Sequence, residues 1–231
     1  MTTHPLTLER VTCRLPDGRA LFTELSFTFD PLATGLVGAN GVGKSVLARV
    51  LAGRQAPTSG RWHGGGRVFL LPALSGAPQG RVADLAGVGD VLDALERIGA
   101  GQVDIEDFNR VGERWDLREQ LRLQWQRSGL PADLQPGGPA ARLSGGRAVQ
   151  GGVVGAWGRG GDWLILDEPS NHLDARRRAQ LREALQRWRG GLLVISHDRE
   201  LLRQMACIVE LDAHGLQRFG GGYTDYVHAK A

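Results

Sequence analysis

The chain has little cysteine, almost no lysine and no long apolar run, and each shortage removes a class of protein. Only Cys13 and Cys207 occur, far apart and without CxxC spacing. A disulfide framework is excluded, and a reducing cytosol is expected. No apolar stretch approaches the roughly 20 residues of a membrane span, and the N-terminus shows no charged-then-apolar leader. The expectation is a soluble, cytoplasmic protein without direct membrane insertion, which could serve a membrane only through a partner chain. Two lysines, Lys44 and Lys230, stand against 26 arginines, and the net charge is only +3. That balance is too small to be the electrostatic footprint of a nucleic-acid binder. Glycine, by contrast, fills 34 of 231 positions, about twice the usual share.

Length and patterning suit one domain with a subdomain and a full core. Leu6 to Phe29 reads as short strands around a Pro16-Asp17-Gly18 turn, and Leu36-Val37 ends a strand that enters a glycine loop. Ser45 to Ala52 has helical spacing and stops at Gly53; Val68 to Leu71 is a short apolar run stopped by Pro72. Between about residues 81 and 150 the texture turns helical, with apolar positions at i, i+3 and i+4. The stripe Trp115, Leu117, Leu121, Leu123 and Trp125 is expected to be core there. WLIL (Trp163 to Leu166) and LLVIS (Leu192 to Ser196) read as buried parallel strands, and Asp174 to Trp188 and Arg199 to Met205 as helices. CIVEL (Cys207 to Leu211) follows as a strand, then a His214-Gly215 turn, then a tail whose helix is expected to stop at once. Strands alternating with helices predict an α/β sheet.

Three strings carry chemistry. GANGVGKS (Gly38 to Ser45) has phosphate-loop spacing between a strand and a helix. Its glycines let backbone N–H groups converge on phosphate oxygens at a helix N-terminus. Gly38, Asn40, Gly41, Gly43, Lys44, Ser45 and Val46 are the candidate nucleotide contacts. Lys44 would pair with the β- and γ-phosphates, and the Ser45 hydroxyl would hold Mg²⁺. LILDEP (Leu164 to Pro169) places Asp167 at a strand exit as a second metal ligand, and Glu168 beside it as the general base for water. SHD (Ser196 to Asp198) offers His197 as a donor to the γ-phosphate. Lys44, Glu168 and His197 are thus the catalytic candidates, with ATP and Mg²⁺ as the bound species.

With LSGG (Leu143 to Gly146) placed 23 residues ahead of Asp167, the four strings resemble the ATP-binding cassette superfamily over nearly the whole chain. The resemblance implies a P-loop NTPase with a RecA-like core, an antiparallel β subdomain and an inserted helical subdomain, all within one domain of residues 1–231. It implies ATPase activity on head-to-tail pairing with a second cassette, in a homodimer or on another chain. Ser144, Gly145 and Gly146 would then clamp the partner's ATP. EPSNHLD (Glu168 to Asp174), SHDRELL (Ser196 to Leu202) and the ending FGGGYTDYVHAK are narrower, and look like the first cassette of an F-subfamily protein. That implies work on the ribosome, in translation or antibiotic resistance, with Asn171 to Asp174 facing the other cassette. A membrane subunit is the less expected partner.

The chain departs from the family pattern at three places. LLPA puts Ala73 where a Gln that contacts Mg²⁺ and water is expected, and Gln79 is a poor substitute by position. Gly151, Gly152 and Gly155 lie inside the helix after LSGG, which is expected to be soft, since each costs roughly 1 kcal/mol against Ala. Leu15 stands where an aromatic would stack on adenine. Two other readings therefore stay open: the ATP-binding subunit of a membrane transporter, and a truncated cassette that binds ATP without efficient hydrolysis.

Overall fold

The computed structural model describes residues 3–73, 78–158, 161–171 and 173–230. It divides into two compact units, Met1–Ala73 with Gly161–Asn171 and Arg178–Ala231, and Leu74–Gly160 with His172–Arg177.

The first unit is built on two sheets. In the larger, β5 (Val68–Leu71), β6 (Trp163–Asp167), β7 (Gly191–Ile195), β3 (Ala33–Val37) and β8 (Cys207–Asp212) run parallel in that order, and β9 (Gly215–Phe219) closes the edge antiparallel to β8. Every residue of β6 and β7 is buried, as expected of central parallel strands apolar on both faces. The smaller sheet is antiparallel, in the order β2 (Ala20–Phe29), β1 (Leu6–Arg14), β4 (Ser59–Gly64). Leu6, Leu8, Phe22, Leu25 and Phe29 from this sheet join Leu47, Val50 and Leu51 of helix α1 (Lys44–Leu51) and Trp163, Ile165 and Leu193 in one core. The edge strand β4 and the hairpin partner β9 were not foreseen. Both are short and polar, so neither carries an apolar signal of its own.

The second unit is helical: α2 (Val82–Leu85), α3 (Gly89–Gly99), α4 (Ile105–Val111), α5 (Leu117–Arg127) and α6 (Gly145–Gly158). Val91, Leu92, Leu117, Leu121, Trp125 and Val154 lie in its core. Trp115 and Leu123, expected in that core, are instead 52% and 38% exposed. Asp116 is the N-cap of α5, so Trp115 precedes the helix and escapes its periodicity. Leu123 follows Leu121 by two residues, about 200° around the helix.

Nor is the glycine content of α6 simply softness. A Cβ on Gly155 would lie 2.4 Å from the Ala86 Cβ and 2.7 Å from its Cα, so this glycine lets α6 approach the chain just after α2. At Gly151 the nearest atom would be the Leu130 Cδ1 at 3.7 Å, and nothing there requires glycine.

The tail also differs from expectation. Helix α8 (Arg199–Leu202) leads to β8, and after β9 the final helix α9 runs on over Tyr223–Lys230. Asp225 accepts from the Gly222 N–H at 3.0 Å at its start, and Lys230 pairs with Glu210 of β8 at 2.7 Å at its end. Opposite charges at the two ends suit the helix dipole.

Candidate functional site

The phosphate loop leaves the carboxyl end of β3. A Cβ on Gly38 would sit 2.2 Å from the Leu211 carbonyl oxygen, and φ is +147°, so only glycine lets the chain turn against β8. Gly43 caps α1 in a left-handed conformation, with φ 108°. The first helical bond closes from the Leu47 N–H to the Gly43 carbonyl at 2.8 Å. The N–H groups of Lys44, Ser45 and Val46 therefore have no intrahelical acceptor and stand open for an anion. Asn40 and Gly41 are exposed at the loop tip, and Ser45 is half-buried.

Lys44 is only 8% exposed. Its Nζ donates to the carbonyls of Gly38 at 2.8 Å and Ala39 at 3.0 Å, so the cation is folded over the loop. Burial holds the ammonium below the usual lysine value, against the opposing fields of Glu168 and then Asp167. The buried lysine thus faces two acids.

Asp167 is the last residue of β6, 5% exposed, and lies beside Ile195 of β7. Neither its carboxylate nor the Ser45 hydroxyl makes a hydrogen bond or ion pair among the described residues. Two hard oxygen donors with free lone pairs fit Mg²⁺, which completes its shell with water and substrate oxygens.

Glu168 adopts φ +48°, a conformation that costs a non-glycine residue and that turns its side chain off the strand direction. Its N–H donates to the Ile195 carbonyl at 2.8 Å, which fixes the turn. Burial raises its carboxyl above the usual range; the charge of His197 opposes this, and Asp167 adds to it. The His197 Nε2 stands 3.4 Å from the Glu168 Oε1. Lys44, Asp167, Glu168 and His197 are thus brought together at the carboxyl ends of adjacent strands, where open α/β sheets bind ligands.

Two hydroxyls that no motif singles out hold this corner. The Ser196 Oγ, fully buried, lies 3.3 Å from the Ser170 Oγ and accepts from the Asp198 N–H at 3.0 Å. Asp198 in turn caps α8 by accepting from Glu200 and Leu201. His197 is pinned on both sides while its own ring stays exposed. The only signal available was two small hydroxyl residues after two buried strands, which is common.

Ser144, Gly145 and Gly146 lie in the second unit. Ser144 is exposed, its carbonyl accepts from the Ala148 N–H at 3.0 Å, and α6 begins at Gly145 with open space above that glycine. At Gly146 a Cβ would meet the Arg177 Cδ at 2.4 Å. Of the Asn171–Asp174 loop, His172 lies outside the described residues. Asn171 is exposed and Asp174 caps α7 (Ala175–Gln186) through the Arg177 N–H at 2.8 Å. Ala73 stands exposed two residues beyond the end of β5 and brings no donor or acceptor; Gln79 is exposed also. Leu15 is half-buried just past β1.

Residues 22–171 match the family described as ABC transporter, and the chain belongs to that ATP-binding cassette family. It is 32% identical over 98% of its length to the tylosin resistance ATP-binding protein TlrC of Streptomyces fradiae, covering 46% of that protein. It is 30% identical over 92% of its length to the energy-dependent translational throttle protein EttA of Mycobacterium tuberculosis, covering 42% of it. These relatives bear out the resemblance to an F-subfamily cassette, and the chain spans less than half the length of either. In fold, it resembles a bacterial Atm1-family ABC exporter solved with ATP bound, at a TM-score of 0.71 and 18% identity, over all of this chain and 41% of that one.

Proposed function

We propose that this cassette binds Mg·ATP at the Gly38–Val46 loop and hydrolyses it, slowly, when paired with a second cassette. The observation that carries the reading is the convergence of Lys44, Asp167, Glu168 and His197 at one end of the parallel sheet. Open N–H groups at the start of α1 and the Lys44 ammonium would hold the phosphates, Lys44 exchanging its two loop carbonyls for β- and γ-phosphate oxygens. Ser45 and Asp167 would hold Mg²⁺, which would supply positive charge to offset that of the phosphates. Glu168, its carboxyl raised by burial, would accept the proton of the attacking water. His197, 3.4 Å from it, would donate to the γ-phosphate and keep Glu168 in place. Ser144, Gly145 and Gly146 would present their hydroxyl and amides to the nucleotide of the other cassette.

The physiological reading we favour is F-type work in the cytoplasm, on translation or on resistance to ribosome-targeting antibiotics. It follows from EPSNHLD, SHDRELL and the two named relatives. Ala73 supports a second reading, ATP binding with inefficient turnover, because no side chain there can reach metal or water. The experiment is the ATPase rate per protein molecule over a wide concentration range, with Glu168→Gln as control. A specific rate that rises with concentration and vanishes in the control supports a self-pairing ATPase. ATP binding with no turnover at any concentration supports the second reading.

A further inference from the structure

The helical unit carries an apolar surface that the nucleotide chemistry does not use. Val103 and Ile105 are 87% and 74% exposed, and Trp115 and Phe108 are exposed as well. Ile105 and Phe108 stand one turn apart on the same face of α4. The Phe108 ring centroid lies 5.8 Å from that of Trp115, which carries the patch across to the loop before α5. Val103 occupies the position from which an apolar side chain usually closes over the fifth residue on, here Phe108. At its exposure it does not close. Scattered exposed apolar residues are ordinary, but a connected group marks an interaction face.

Of the large apolar side chains of α4 only Val111 is buried in the core. The buried side of the helix holds Asp107, 4% exposed, which accepts from Arg97 at 2.7 and 2.5 Å. An ion pair fastens α4 from within while most of its large apolar side chains face water. Charge around the patch then selects the partner. Asp104, Glu106, Glu113 and Asp116 are exposed carboxylates, set against Arg110 and Arg114, while Arg118 is paired with Glu96 at 2.9 Å. Arg114 is tied to the backbone carbonyls of Arg110 and Val111. On a chain of net charge +3 this is a local acidic rim.

We propose that this face, centred on Ile105 and Trp115, docks a basic amphipathic segment of a partner protein. The apolar side of such a helix would cover the four side chains while its cations meet the rim. The same carboxylates repel phosphate backbones and anionic lipid headgroups.

The test uses the full chain and a labelled amphipathic helical peptide of leucine and lysine, about five turns long, followed by fluorescence anisotropy. A leucine–glutamate peptide of the same pattern is the control. The basic peptide should bind and the acidic one should not. The double substitution Ile105→Ser, Trp115→Ser should weaken binding by at least about ten-fold, with the circular dichroism spectrum and ATP affinity unchanged. Should that variant unfold, the charge reversals Glu106→Lys and Glu113→Lys, both at exposed positions, should weaken binding by a similar factor. Equal binding of the two peptides, or full affinity in both variants, would overturn the proposal. So would binding of an oligoribonucleotide, of phosphatidylglycerol vesicles or of a second copy of the chain that Ile105→Ser, Trp115→Ser abolishes.

Discussion

The carboxyl end of the sheet around the phosphate loop and the surface of the helical unit place their polar and apolar groups in opposite ways. At the carboxyl end of the sheet the charged groups are inside: Lys44 and Asp167 are buried, Glu168 is nearly so, and backbone groups of β7 and of the loop itself hold Glu168 and Lys44. On the helical unit Ser144 and the Ile105–Trp115 patch lie open to solvent. Desolvation is the physical difference. Burying a charge shifts its proton affinity and readies it for chemistry, whereas an exposed group gains its energy only when something covers it. A site of the first kind shows its chemistry within one chain; a surface of the second kind shows what sort of partner it suits.

The largest expected effect breaks the first region alone. Glu168→Gln should lower kcat by roughly 10²–10⁴ while ATP still binds; a steady-state assay with normal turnover would remove Glu168 as the base. Next, Lys44→Ala should weaken ATP binding by about 100-fold, read by equilibrium titration. Its thermal stability without nucleotide should hold, because the buried ammonium is itself held below its usual affinity for protons. Ser144→Ala sharpens the contrast: nucleotide affinity of the isolated chain should stay the same, and turnover should fall by about ten-fold. Equal loss of both would place Ser144 in the binding site of its own chain.

Two glycines of α6 separate packing from helix propensity. Gly155→Val should cost about 1–3 kcal/mol through overlap with Ala86. Gly151→Ala, with ordinary contact distances, should gain about 0.5–1 kcal/mol. Chemical denaturation measures both.

The smallest effect concerns pH. Burial raises the Glu168 carboxyl above its ordinary value of 4.5. The folded state then holds that proton more tightly than the unfolded one, so its contribution is full below about 4.5 and is lost as pH rises through the folded value. Glu168→Gln should therefore raise the melting temperature at pH 7 by about 1–3 °C, a gain that disappears in acid.

Much of the sheet was readable because buried parallel strands are continuous apolar runs. WLIL and LLVIS appear where β6 and β7 stand, and the glycine loop where β3 ends. The candidate site was readable for a related reason: its residues sit at strand exits, in short strings of fixed order. What failed were positions whose environment comes from elsewhere. Trp115 had the right residue type for a core but lies two positions ahead of its helix. β4 and β9 take their order from neighbours rather than from their own side chains. Ser170 and Ser196 become a pair only because β6 and β7 are adjacent.

By itself the sequence determined the glycine loop after β3, the acids at the end of β6, the histidine after β7 and the α/β alternation, because local spacing and strand hydrophobicity are properties of contiguous residues. Only the tertiary structure decided that Lys44 faces Glu168 and Asp167, that Gly38 must yield to the Leu211 carbonyl, and that Ile105 and Phe108 of α4 face outward. Each of those depends on groups distant in the chain, whose burial and fields no local pattern encodes.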